Sequence, residues 1–171
     1  MSPDDVARGP AAVGEGRPSL VIRDRTARDL DGCVRLLAEV HRRDGYPVTW
    51  PGHPAAWLAG SREIAAWVAT QDGRLVGHAS LWRGGAADAA GTAQVSRLFV
   101  APAARGRGTG AALLRHVTRE ARTRGLRLVL DVVATSAAAA FYEGQGWRLT
   151  GGWDEQWGPH RVTVRRYAAH E

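Results

Sequence analysis

VSRLFVAPAARGRGTGAALL, residues 95–114, decides how the rest of the chain is read. An apolar strand over 94–100 stops at Pro102, because proline cannot donate to a ladder. Glycines follow at 106, 108 and 110. Then Leu113, Leu114, Val117 and Ala121 form one helical face over 108–124. Glycine permits backbone conformations and close approaches that a side chain forbids. The first turn of a helix leaves N–H groups without intrahelical partners, and with the positive end of the helix dipole they seat a phosphate. Arg105 and Arg107 stand beside that seat. These residues alone predict a pyrophosphate-bearing ligand.

Working outward, the chain predicts β-α-α-β-β-β-α-β-α-β-β. Residues 19–23 read as a first strand, and Thr26 as the N-cap of a helix over 27–43 with Leu30, Val34, Leu37 and Val40 on one face. Residues 45–54 (GYPVTWPGHP) are too rich in proline and glycine for regular structure, and a short helix through Trp57 and Leu58 follows. Strands over 63–71 and 74–82 flank Asp72-Gly73, a two-residue hairpin signal. Residues 84–92 read as a loop. Gly125 ends the helix after the glycine turn, and 126–133 (LRLVLDVV) reads as a strand buried on both faces. A helix over 137–142 and two last strands, 147–152 and 160–167, complete the domain, with Trp153 and Trp157 in the loop between them. The fold class is α/β, with an antiparallel first half and a βαβ unit at 94–133.

Composition narrows the partners. At 171 residues the chain fits one domain and needs no disulfide or metal to fold. Cys33 stands alone, which excludes an intrachain disulfide and a cysteine-based zinc cage. Net charge is +6 and all 23 basic residues are Arg, so a Schiff-base or Walker-type lysine is excluded. An anionic partner suits this field. Residues 1–18 read as a flexible tail and 19–171 as the domain. No apolar run spans a membrane and no leader is visible, so a cytoplasmic protein without a membrane partner is expected. The six His show no metal-ligand spacing, and no metal is expected.

Two ligand families fit the glycine turn. Gly106-Arg-Gly108-Thr-Gly-Ala111 satisfies the dinucleotide fingerprint, and Asp131 lies 20 residues beyond, where a ribose-binding acid belongs. Against it, Ala101–Arg105 separate strand from glycines, roughly 100 residues precede the unit, and about 60 follow, too few for the second half of that fold.

The residues resemble the GCN5-related N-acetyltransferase (GNAT) superfamily more closely. Its Q/R-x-x-G-x-G/A signature is met by Arg105-Gly-Arg-Gly108-Thr-Gly110. Leu98-Phe99-Val100 matches its L-x-V strand, and Pro102 follows. Tyr142 and Gly146-Trp147 match its second block. The resemblance covers 19–168. It implies a single domain whose mixed, mostly antiparallel sheet splays between strands 4 and 5, flanked by helices on both faces. It implies acetyl-CoA as co-substrate and an acyltransferase acting on an amine of a small molecule or peptide. It places the pantetheine arm on the main chain of Leu98, Phe99 and Val100. It places the pyrophosphate at Arg105, Gly106, Arg107, Gly108, Thr109, Gly110 and Ala111. A backbone N–H near Leu98 or Phe99 is implied as oxyanion donor. Tyr142 is implied as proton donor to the leaving thiolate, although packing against Phe141 and Trp147 explains it too.

The chain departs from the family twice. Gln94 stands where many members carry a Glu base, and Gln cannot take a proton. Thr135 and Ser136 stand where members often use an Asn for the pantetheine; a helix N-cap accounts for them equally. Around the acceptor, His41, Asp44, Tyr46 and Trp50 combine aromatic faces with one anion, which suits an ammonium group. His41 and Asp44 are candidate bases. Trp153 and Trp157 are candidates for the opposite wall. Arg115, Arg119 and Arg122 read as a solvated helix face, and no nucleic-acid partner is expected. A homodimer is allowed. A non-catalytic acyl-CoA-binding module is the competing reading.

Overall fold

The computed structural model describes residues 19–134 and 137–170. The tail expected at 1–18, and with it Thr135 and Ser136, lie outside the described residues.

Strand β1 (Leu20–Asp24) leads into a 3-10 turn (Ala27–Asp29) and helix α1 (Leu30–Asp44). The helix therefore starts three residues later than Thr26 suggests. Its entry is fixed by Asp29, whose carboxylate accepts from the Thr26 N–H at 2.7 Å and the Thr26 hydroxyl at 2.9 Å. Arg23 closes a bidentate bridge on the same carboxylate, both contacts 2.8 Å, and holds its pKa far below the usual range. Gly45, at φ +68°, ends α1 in the left-handed region. Cys33, Leu36, Leu37 and Val40 make its buried face.

Helix α2 (Pro54–Leu58) is followed by the hairpin of β2 (Glu63–Gln71) and β3 (Arg74–Arg83). Asp72 and Gly73 both take positive φ, 49° and 75°, as a type I′ turn requires. Then come β4 (Thr92–Val100), α3 (Thr109–Thr123), β5 (Arg127–Val133), α4 (Ala137–Gly144), β6 (Arg148–Trp157) and β7 (His160–Ala168). The loop before β4 is one residue shorter at its end than 84–92 implies, since the strand begins at Thr92.

The seven strands form one sheet in the order β1-β2-β3-β4-β5-β7-β6. Among the described residues only β4 and β5 pair parallel; every other ladder is antiparallel. Strand β3 shows how the two faces are covered. Gly77 faces α3, where an added Cβ would meet Leu113 at 2.8 Å. His78, on the other face, reaches α2 through Arg25, which also donates to the Leu58 carbonyl.

Two expectations are corrected. Trp153 and Trp157 are not in a loop: both belong to β6, and the turn to β7 is at Gly158. An edge strand tolerates charge and aromatics on both faces, which is why WDEQW, 153–157, reads as a loop. Strand β5 is not buried on both faces. Leu128 and Leu130 are buried, whereas Val129, Asp131, Val132 and Val133 are half-buried.

Candidate functional site

Strands β4 and β5 pair only at Thr92–Arg127, Ala93–Leu128 and Gln94–Val129. Beyond Gln94, β4 continues to Val100 while β5 turns to β7. The β4 edge over residues 95–100 therefore faces an opening instead of a strand. Backbone groups along such an edge accept an extended ligand as they would an added strand.

At the top of that opening lies the glycine turn. Gly106 and Gly108 take φ +72° and +83°, and a Cβ at either would meet nothing within 4 Å. These two glycines serve conformation and leave the surface open. Gly110 differs: a Cβ there would rest 3.5 Å from Phe141 and 3.6 Å from Val100, so it serves packing against α4. The first helical bond of α3 runs from the Ala112 N–H to the Gly108 carbonyl, 2.9 Å. The N–H groups of Thr109, Gly110 and Ala111 precede it. Thr109 is buried, and its hydroxyl donates to the Ala104 carbonyl at 3.4 Å. The exposed Arg107 has no ion-pair partner among the described residues. Arg105 braces the turn by donating to the Val100 carbonyl twice, at 3.2 Å, and to Asp44 at 2.5 Å.

The middle of the opening is shaped by a bulge in β4. Ser96 pairs with Ser80 and Phe99 with His78, so Arg97 and Leu98 together oppose Ala79. Arg97 takes φ +50°, uncommon for a residue with a side chain. Its guanidinium is stacked between Trp57 and Trp82, 4.1 and 4.2 Å from the ring centroids, and donates to the Ser96 hydroxyl and the Trp57 carbonyl. Leu98 is half-buried; Phe99 and Val100 are buried.

Tyr142 lies in α4 at 7 % exposure, with Phe141, Trp147 and Tyr167 around it. Burial first, and the neighbouring Tyr46 second, hold its phenol well above the ordinary value. It is a neutral O–H at any working pH. Tyr46 packs against Trp57 and Phe99, and burial pushes its phenol up to about 12. Packing and proton donation are both compatible with Tyr142.

The other acceptor candidates separate. His41 meets the Pro47 carbonyl through Nδ1 at 2.8 Å and packs tilted against Trp50, so it secures the loop. Asp44 is engaged by Arg105. With Nδ1–H donated to the Pro47 carbonyl, His41 keeps a lone pair on Nε2. Gln94 instead faces a charged cluster that sequence reading missed. Its amide donates to Asp131 at 2.8 Å, and Asp131 also accepts from Arg166 Nε and Nη2 at 2.7 and 2.8 Å. Arg166 donates in turn to Asp88, and lies over Trp153. One Gln94 N–H goes to Asp131, and the Oε1 of the same amide is an acceptor. The one local signal for Asp131 was a charge inside an apolar strand. A cavity of about 350 Å³ lies elsewhere, between α3 and the start of β5, with Thr118, Arg122, Arg127 and Arg148 in its wall. It does not include the glycine turn.

Residues 62–149 match the family model of the acetyltransferase (GNAT) domain. No curated protein sequence matches the chain significantly. Among solved structures, an N-acetyltransferase of Staphylococcus aureus Mu50 is similar with a TM-score of 0.74 at 20% identity, over 88% of this chain and 98% of that one. The ribosomal-protein-S18-alanine N-acetyltransferase of Escherichia coli is similar with 0.68 at 24%, over 88% and 92%. yncA of Salmonella typhimurium, solved with its cofactor acetyl-CoA, is similar with 0.66 at 20%, over 88% and 92%.

Proposed function

The chain belongs to the GNAT acetyltransferase family, whose co-substrate is acetyl-CoA, and on that premise we propose that it acetylates an amine of a small molecule or peptide by direct attack. The observation that carries the reading is the coincidence of two features at one opening. The β4 edge is unpaired beyond Gln94, and the open glycine turn leads into free N–H groups at the start of α3.

In this reading the N–H groups of Thr109, Gly110 and Ala111 hold the diphosphate, with Arg107 available from the turn. Main-chain groups of Leu98 to Val100 hold the pantetheine arm. Thr135 and Ser136 remain proposed contacts to it. The amine nitrogen bonds to the acetyl carbonyl carbon, and a backbone N–H at the β4 bulge stabilises the oxygen that becomes negative. The carbon–sulfur bond then breaks and the Tyr142 phenol protonates the departing thiolate. Gln94 Oε1 orients the amine or a water beside it. It takes no proton, so the amine proton leaves to solvent. Proximity supplies most of the rate in such a scheme. Tyr46 and Trp50 form the acceptor wall, with His41 and Asp44 holding that wall in place.

Gln94 also favours one rival, an acyl-CoA-binding module without catalysis. An amine panel assayed for liberated thiol in the presence of acetyl-CoA separates the two. Thiol release with at least one amine is expected. A thermal shift with acetyl-CoA but no thiol from any amine would leave the binding module standing.

A further inference from the structure

The β4 bulge is held by a buried polar chain that starts on β3. His78 is fully buried and stacks on Phe99, the ring centroids 5.1 Å apart and the planes 19° apart. Its Nε2 lies 3.0 Å from Arg25 Nη1, and its Nδ1 lies 2.7 Å from the Arg97 carbonyl oxygen. A guanidinium only donates, so Nε2 is the lone-pair nitrogen and the proton sits on Nδ1. The imidazole therefore donates to the Arg97 carbonyl. Arg25 is fixed in turn by Glu63 Oε1 at 2.7 Å and by the Leu58 carbonyl at 3.1 Å. The other carboxylate oxygen, Glu63 Oε2, is buried and finds no partner among the described residues. The chain runs Glu63, Arg25, His78, Arg97 carbonyl, and ends on the one β4 residue with a positive φ.

The Arg97–Leu98 peptide is trans, and a trans peptide sends its C=O and N–H in opposite directions. With the Arg97 carbonyl turned to an imidazole on β3, the Leu98 N–H is sent away from β3. That is the side of β4 that opens on the splay. A residue with φ near +50° stays there only where its surroundings hold it. We infer that His78 is a positioning residue for acetyl transfer: by donating to the Arg97 carbonyl it aims the Leu98 N–H at the thioester oxygen. This rests on the oxyanion role proposed above for the β4 bulge. A hydrogen bond buried in a low dielectric is a stiff support, and a misplacement of about 1 Å in such a site costs up to about 100-fold in rate.

The test compares His78→Asn, whose side-chain N–H overlaps the Nδ1–H position, with His78→Phe, which keeps the stacking on Phe99 and loses the donor. His78→Gln, whose amide sits one bond further out, replaces His78→Phe if that variant does not fold. The probe is acetyl-CoA labelled with ¹³C at the thioester carbonyl, read by difference infrared spectroscopy of the bound state. In the wild type the bound carbonyl band falls below that of free acetyl-CoA. His78→Asn is expected to keep the lowered band. His78→Phe is expected to return it to the free position, with acetyl-CoA affinity within about twofold and turnover with a panel amine down about 10- to 100-fold. A lowered band in all variants overturns the role of His78 and leaves the proposed reaction intact. An unshifted band in the wild type, with acetyl-CoA bound, overturns the oxyanion reading and the His78 role together. Failure of the wild type to bind acetyl-CoA overturns the proposed function itself.

Discussion

His78 makes the stability of this fold depend on pH in a window that can be calculated. Burial, its largest perturbation, lowers its pKa from 6.5 to about 4, and the nearby Arg25 and Arg97 act in the same direction. The hydrogen bond to the Arg97 carbonyl opposes them. The unfolded chain takes up this proton near 6.5 and the folded chain only near 4. Between those values the unfolded state binds more protons, so stability rises with pH. The contribution is complete above about 6.5 and is lost as pH falls toward 4. Its size, at about 1.4 kcal/mol per pKa unit, is about 3 kcal/mol. His116 is also lowered, by burial first, and acts in the same direction, so a single pH profile does not isolate His78. Urea unfolding of the wild type and of His78→Asn, from about pH 4 to about pH 7.5, does. The difference between the two proteins is expected to shrink or reverse by about 3 kcal/mol toward acid, because the wild type alone pays for keeping this imidazole neutral. Parallel profiles would refute the buried, neutral His78 and the proton assignment built on it.

Three further outcomes are expected. Tyr142→Phe removes the proposed proton donor and leaves the ring in its aromatic packing. Turnover falls at least about 10-fold while acetyl-CoA affinity by calorimetry stays within about twofold. Gly108→Ala places a Cβ on a residue at φ +83°, which costs about 1–2 kcal/mol in chemical denaturation and weakens CoA binding several-fold. Arg166→Met leaves Asp131 and the nearly buried Asp88 without their cation. It lowers stability by about 2 kcal/mol, discounted from the loss of a fully buried pair because Arg166 is partly exposed, and is read as a drop of about 4–8 °C in Tm.

Much of the fold was legible because its signals are local. Asp72-Gly73 announces a hairpin, and Leu113, Leu114, Val117 and Ala121 announce a helix face, with no need of distant residues. The glycine turn was legible as a phosphate seat for the same reason. Its division of labour was not: only contact with Phe141 distinguishes the packing glycine, Gly110, from the two conformational ones. The acceptor side escaped because its order is made over long separations. Arg166 meets Asp131 35 positions away and Asp88 78 positions away. Asp44, an anion among aromatic faces in the sequence, meets Arg105 from 61 positions away. The Arg97 bulge leaves no trace in composition. VSRLFV reads as plain strand, and only the register against β3 reveals the extra residue. Trp153 and Trp157 were misplaced because an edge strand relaxes the alternation by which strands are recognised.

Titrating ¹⁵N-labelled protein with CoA and following the backbone amides tests the central claim most directly. The account predicts the largest shifts at Arg107 to Ala111 and at Leu98 to Val100, with β1 and the far end of β6 unmoved. Amides in the glycine turn that stay still at millimolar CoA, or shifts centred on the Arg122, Arg127 and Arg148 cavity, would contradict it.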